Sequence, residues 1–331
     1  MRLPVGLRGF ARVLAVLLLP VAITASASGQ SGSRQSYRPP QHTTDWPRLA
    51  DDGGALGPHL ERGRSAQWES DQQRKLAAAL AALQPQRRGV IDAYVVSAAL
   101  DSDPVFGREA REAGKVLARR YDAAGRSIVL AGTNGRAAST LAMGTPRSLA
   151  LALTRVAEVM DKSEDVLVLY LTSHGAPVGI AYHDGDEGFG LITPRRFAAF
   201  LDQLGIRKRV LILSACYSGI FVSTLSNDDT ALLTAASSDR TSFGCRAEND
   251  WTFFGDALVN HALRKPQPLD DALIEARETI SGWETTGDLP PSNPQATIGE
   301  GVEAWLVPLE ARMPKVATAP VGAPATDAFK P

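Results

Sequence analysis

The sequence predicts an α/β fold of three layers, with a mostly parallel central sheet flanked by helices. Apolar runs of strand length alternate along the chain with segments of helical composition, which is the pattern of strands joined by crossover helices. The run 166–171 is almost continuously apolar, as suits a parallel strand covered on both faces. A chain of 331 residues, 44% hydrophobic and 21% charged, can bury one substantial core and carry tails, but does not read as two large domains.

Residues 71–83 are rich in Ala and Leu and predict a helix; after Gly89 the run 90–96 predicts a buried strand. Residues 108–121 have helical composition with a basic end. A second strand, 127–131, is closed by Gly132-Thr133-Asn134-Gly135, and an amphipathic helix follows at 148–160. After the strand 166–171, a Gly-rich segment at 178–192 predicts a hairpin. Pro194 opens a helix to residue 204, because its missing N–H costs nothing at a first helical position. Then come a strand at 209–213, a short helix near Ile220, a strand at 231–235 and helices at 252–263 and 269–281.

The ends read differently. Arg2, Arg8 and Arg12 precede an apolar stretch, 13–23, followed by Ala25-Ser26-Ala27, the layout of a signal peptide. Pro20 interrupts the stretch, which falls short of the roughly 20 apolar residues of a bilayer crossing. The expectation is cleavage after Ala27 and an exported, periplasmic or secreted protein without a membrane span in its mature form; an N-terminal anchor is the alternative. Residues 28–69 are polar and irregular and read as a low-complexity linker, 70–311 as the folded domain, and 312–331 as a flexible C-terminal tail.

A formal net charge of -1 and a pI near 6.5 give no electrostatic reason to expect a nucleic-acid partner. No Cys/His spacing suggests zinc, and Gly132-Thr133-Asn134-Gly135 lacks the Lys of a phosphate loop, so neither metal nor cofactor is implied. His183-Asp184-Gly185-Asp186-Glu187 lacks the ligand spacing of a calcium loop and reads as a polar hairpin turn. His42 and His59 fall in the linker, and His261 on a helix as a structural or solvent-facing residue.

Chemistry concentrates at two strand ends: Ser173-His174-Gly175 follows the strand 166–171, and Ser214-Ala215-Cys216-Tyr217-Ser218-Gly219 follows 209–213. Ligand sites of open α/β sheets gather outside the carboxyl ends of the strands, so these two segments would face one crevice. A free thiol is only a few per cent thiolate at neutral pH, and His174 is suited to generate or stabilise the anion and to protonate a leaving amine. The backbone N–H groups of Gly175 and Cys216 would serve a developing oxyanion. Catalysis requires Cys216 to be free, and the other cysteine, Cys245, reads as a packed thiol.

These segments resemble those of the C13 (legumain-like) peptidases, and closely those of the family's bacterial branch, within a wider group of caspases, gingipains and separases. The likeness covers most of residues 90–306 and includes Asp103-Pro104-Val105-Phe106, both strand-end segments, and the stretch from Thr234-Ala235-Ala236 through Ser242-Phe243-Gly244-Cys245 to Thr252-Phe253-Phe254-Gly255-Asp256. The resemblance implies a caspase-like fold, a His174–Cys216 dyad, hydrolysis of a peptide or protein substrate through a thioester, and a substrate pocket at Ser214, Thr241 and Asp256. Ser214 stands where the family has an acidic residue, so a preference for Asn before the cut does not follow. Only Asn134 and Arg136 lie near the position of the family's Asn-Tyr-Arg-His segment, and the short tail after residue 311 carries the expectation of no large C-terminal prodomain. Transamidation on the same dyad and a silent caspase-like interaction module are the alternatives. A Cys α/β-hydrolase is disfavoured, because there the His follows the nucleophile. Oligomeric state is not legible.

Overall fold

The structure, a computed structural model, describes residues 55–132 and 139–329. Its elements in chain order are β1 (His59–Glu61), α1 (Ala66–Ala81), β2 (Ala93–Ala99), α2 (Pro104–Arg120), β3 (Ser127–Leu130), α3 (Pro146–Val159), β4 (Val166–Thr172), β5 (Gly175–Ala176), β6 (Gly179–Asp184), β7 (Gly188–Ile192), α4 (Pro194–Leu204), β8 (Arg209–Ser214), α5 (Val222–Leu225), β9 (Thr230–Thr234), α6 (Leu269–Thr286), β10 (Gln295–Ile298) and α7 (Val302–Glu310). The central sheet has the order β10-β9-β8-β4-β2-β3. All its pairings are parallel except β10 with β9, so the predicted mostly parallel sheet is found with one antiparallel edge.

Strand periodicity divides the core in two. Val166, Val168 and Tyr170 of β4, with Val95, Val210, Ile212 and Leu233, face α2, α6, α7 and the helical segment 253–263. Leu167, Leu169 and Leu171, with Tyr94, Val96, Leu211, Leu213 and Leu232, face α3, α4 and α5. Both faces are buried, which is why these strands lack polar alternation. A second, antiparallel sheet of order β1-β7-β6-β5 sits just beyond the end of β4.

Several boundaries differ from expectation. The first strand starts later, at Ala93, because Asp92 is held in a buried charge cluster. Pro104 starts α2 well before residue 108, and β10 has no counterpart in the sequence reading. Residues 255–261 wind as a π-helix where a regular helix was expected.

The low-complexity linker, 28–69, is corrected over its last part. His59–Glu61 pairs with β7, Ser65 caps α1 by accepting from Trp68 N–H at 3.1 Å, and Arg64 lies 4.0 Å over the Trp68 ring while pairing with Glu61, Asp184 and Glu187. Asp184 and Glu187 belong to the predicted hairpin turn, so this turn anchors the chain entering the domain. His59 sits in β1, and His42 lies outside the described residues.

The flexible tail, 312–331, is corrected too. Val321 N–H donates to Asn260 Oδ1 at 2.9 Å, its carbonyl accepts from Trp251 Nε1 at 2.8 Å, and Ala325 N–H donates to Asp256 Oδ2 at 2.7 Å. Buried Asn260 and Asp256 satisfy the backbone of a Pro- and Ala-rich segment that makes no regular structure until its last residues, Ala325–Phe329, which form a short 3₁₀ turn. Among the described residues no helix is long and apolar enough to cross a membrane.

Candidate active site

The register of β4 and β8 builds the site. Thr172 pairs with Ser214, and Ser173 N–H continues the ladder to Ser214 O at 3.2 Å. Two residues beyond each partner of that pair stand His174 and Cys216. The two loops approach so closely that a Cβ built on Gly175 would lie 1.9 Å from the Cys216 carbonyl oxygen. Only glycine permits that contact.

Beyond Cys216 the chain turns through Tyr217, whose φ of 58° is left-handed and costs roughly 1–2 kcal/mol for a residue with a Cβ. Tyr217 N–H donates to Arg240 O at 2.8 Å, Gly219 N–H to Ala236 O at 2.9 Å, and Ser218 Oγ accepts from Ala235 N–H at 3.0 Å. These bonds to the segment after β9 hold the turn and bring residues 240–245 against the thiol.

The Cys216 sulfur accepts from Ser242 N–H at 3.2 Å and has Ser242 Oγ at 3.6 Å. Its thiol is lowered to about 6, first by a hydrogen bond from the Cys245 thiol, then by Ser242 and by the charge of His174, against the opposing effect of burial. Cys245 is pushed up correspondingly, since its proton is committed to Cys216 and its partial burial disfavours the anion. Both cysteines are free thiols.

His174 Nε2 lies 3.4 Å from Asp103 Oδ2, and the Phe106 ring meets the imidazole edge-on at 4.9 Å between centroids. Asp103 occupies the N-cap position of α2 but makes no side-chain capping bond there. Its own N–H donates to Asp101 Oδ1 at 2.9 Å. Asp101 is 1% exposed; its Oδ2 makes no hydrogen bond and faces His183 Nδ1 at 3.5 Å, and burial raises its carboxyl. Asp101, Asp103 and His174 each offer one ligand atom, all within 4.8 Å of one another, so they could hold a cation only by occupying the imidazole.

Below the two strand ends lies Glu109 of α2, fully buried. Its Oε1 accepts from Tyr170 Oη, from Thr172 Oγ1 at 2.7 Å and from Ser214 Oγ at 2.9 Å, and its Oε2 from Thr252 N–H at 2.8 Å. Burial and the Glu109 charge push the Tyr170 hydroxyl well up, so it stays a donor. Four donors therefore hold this carboxylate as a floor across three elements.

His174, Gly175, Ser214 and Cys216 thus come together. Ser214 is 2% exposed and directed to Glu109 and Thr252, so its hydroxyl is committed to the floor. Thr241 is exposed and adjoins Ser242. Asp256 is not brought to the cleft: it is fully buried, with its carboxylate bound to Asn260, His261 and the Ala325 N–H, which corrects its assignment to a substrate pocket. Asn134 and Arg136 lie outside the described residues. Sequence reasoning missed Asp101, Asp103 as the partner of His174, and Glu109. The first two follow a parallel strand at the same carboxyl edge as His174 and Cys216, and that rule would have found them. Glu109 had no such signal, because a Glu in an amphipathic helix reads as surface.

Comparison with known proteins gives a match to a family model over part of the chain and a weak structural likeness. The model of the Peptidase C13 family matches residues 146–286, a span that holds His174, Cys216 and Cys245 but not Asp103 or Glu109. The crystal structure of caspase-1 from Spodoptera frugiperda is similar at 14% identity and a TM-score of 0.41, over 65% of this chain and 88% of that one. A structure of pro-sf-caspase-1 is similar at 13% identity and a TM-score of 0.39, over 64% and 88%. No curated protein matches the chain.

Proposed function

We propose that this chain, matched over residues 146–286 by the Peptidase C13 family, is a cysteine peptidase that hydrolyses peptide bonds through a thioester on Cys216. The observation that carries the reading is the pairing of Thr172 with Ser214 in adjacent parallel strands, which sets His174 and Cys216 at one sheet edge.

The Cys216 sulfur attacks the scissile carbonyl carbon, and the N–H groups of Gly175 and Cys216 receive the oxyanion. With Nε2 of His174 toward Asp103, Nδ1 is the nitrogen left for proton transfer. His174 protonates the amine as the C–N bond breaks, then takes a proton from water as water attacks the thioester; the C–S bond breaks and the thiolate returns. The donors on the sulfur, from Ser242 and Cys245, support a nucleophile already ionised near neutral pH. The leader pattern from Arg2 to Ala27 supports export to a periplasmic or secreted location.

A peptidyl alkylating probe, with the labelled residue mapped by mass spectrometry, tests this. Labelling of Cys216 in preference to Cys245, strongly reduced by His174→Ala, is the expected result; equal labelling of both thiols, or none, overturns it.

A further inference from the structure

Two contacts between a carboxylate and an imidazole stand side by side beyond the carboxyl end of β2. Asp103 Oδ2 lies 3.4 Å from His174 Nε2, and Asp101 Oδ2 lies 3.5 Å from His183 Nδ1. Both are long against the roughly 2.7–2.9 Å of a charge-assisted hydrogen bond. We propose that Asp101, Asp103, His174 and His183 form a site for one transition-metal ion of the zinc type, and that the ion, by taking Nε2 of His174, reversibly switches off the Cys216–His174 pair.

Backbone pairing builds the site from three segments. Ala181 N–H donates to His174 O at 2.9 Å, which lays β6 along the His174 loop. Further along β6, Ser102 N–H donates to His183 O at 2.9 Å and His183 N–H to Leu100 O at 3.0 Å. These two bonds flank Asp101 and make it the bridge partner of His183. Asp103 N–H occupies Asp101 Oδ1 at 2.9 Å, so the other oxygen of this 1% exposed side chain is left without a hydrogen bond. Ligand atoms of Asp101, Asp103 and His174 all lie within 4.8 Å of one another, and His183 joins them through Asp101. Asp103, His174 and His183 are about half exposed, so an ion can enter from solvent while buried Asp101 supplies the inner ligand.

The distances and the donors select the ion. Ligands bound at about 2.0–2.2 Å in a tetrahedron stand about 3.4 Å apart, which is the spacing of both contacts. Two imidazoles with two carboxylates suit zinc and its neighbours, whereas calcium takes roughly six to eight oxygens and magnesium keeps several waters in an octahedron. The consequence lies in the two ring nitrogens. An ion on Nε2 takes that lone pair and confines the ring proton to Nδ1, the nitrogen that must accept a proton as water attacks the thioester. Only coordination bonds form, so a chelator reverses the change. The switch rests on the peptidase reading; the binding of the ion does not.

The experiment strips the tag-free full chain with a chelator and titrates it with zinc chloride, and separately with calcium chloride, by isothermal calorimetry. Asp101→Asn, which keeps an acceptor for the Asp103 N–H, His183→Gln and Cys216→Ala are titrated beside it, with thermal melts confirming that each is folded. One zinc per chain is expected, retained in Cys216→Ala, weakened by about tenfold or more in Asp101→Asn and His183→Gln, and not matched by calcium. In peptide cleavage, His183→Gln should equal the wild type in metal-free buffer and need about tenfold more zinc for the same inhibition, with the chelator restoring both. Zinc binding that survives both ligand variants, or that disappears with Cys216, overturns the site. Binding at these residues without inhibition of an active chain overturns the switch. Binding at these residues in a chain that cleaves no peptide in chelator sustains the site and sinks the peptidase reading instead.

Discussion

The two ends of the central sheet satisfy their polar side chains to different degrees. At the amino ends of β2 and β4, Asp92 and Asp165 are buried and every carboxylate oxygen has a donor. Asp92 accepts from Arg87 N–H at 2.6 Å and Arg87 Nε at 2.8 Å, and pairs with Arg126 at 3.2 Å; Asp165 accepts from Asp92 N–H at 2.8 Å and Asp161 N–H at 2.7 Å. At the carboxyl ends, Asp101 keeps an oxygen without a hydrogen bond, Asp103 gives up its helix cap to face an imidazole, and Cys216 collects donors that favour its anion. A fully satisfied charge fixes the strands; an incompletely satisfied one can still change state during a reaction.

The largest effect that would sharpen this contrast is on turnover. Cys216→Ala should reduce peptide cleavage by about 10⁴-fold or more, with its melting temperature close to the wild type. Retained cleavage would break the contrast at once.

The opposite end should respond in stability. Asp92→Ala leaves buried Arg126 without its carboxylate, with only the Pro85 carbonyl to accept from it, and should cost about 3–5 kcal/mol in denaturant unfolding, while the folded fraction alkylates Cys216 at the wild-type rate. Slower labelling in the folded fraction would mean that the two ends are coupled.

Asp103→Ala tests the other state. It removes the partner of His174 and should lower kcat by up to about 10²-fold through a misoriented imidazole, with little change in KM. Unfolding by denaturant should barely change, because Asp103 makes no capping bond to lose. A stability loss without a kinetic one would return Asp103 to the helix.

The smallest effect is a shift of profile. Since the Cys216 thiol lies at about 6 in the folded protein, below its ordinary value, thiolate grows as pH rises through 6, and alkylation should climb through that pH and level off above it. Cys245→Ala removes the first cause of the lowering and should move the midpoint upward. A midpoint near 8.5 in the wild type would show that the donors at Ser242 and Cys245 do not act on the sulfur.

The two strand-end segments were legible because catalysis in parallel sheets has a position as well as a residue type. Apolar runs at 166–171 and 209–213 ended in His174 and Cys216, and parallel pairing followed from runs buried on both faces. Asp256 was misread because its motif position says nothing about the C-terminal segment that covers it. That segment was misread in turn because its composition suits a tail, and its order comes from Asn260, Asp256 and Trp251, which lie some 60 to 70 residues away in sequence. Glu109 stayed invisible for the same reason: a carboxylate becomes a buried floor only when three other elements close over it.

At Gly175 the molecule has spent its tolerance for variation. One methyl group there would meet the Cys216 carbonyl more than an ångström inside ordinary contact, and the loops bearing acid-base group and nucleophile would have to separate. A saturation library at this codon, sorted for cleavage, is therefore a measure of how finely two peptide units have been spaced, with a single hydrogen atom as the gauge.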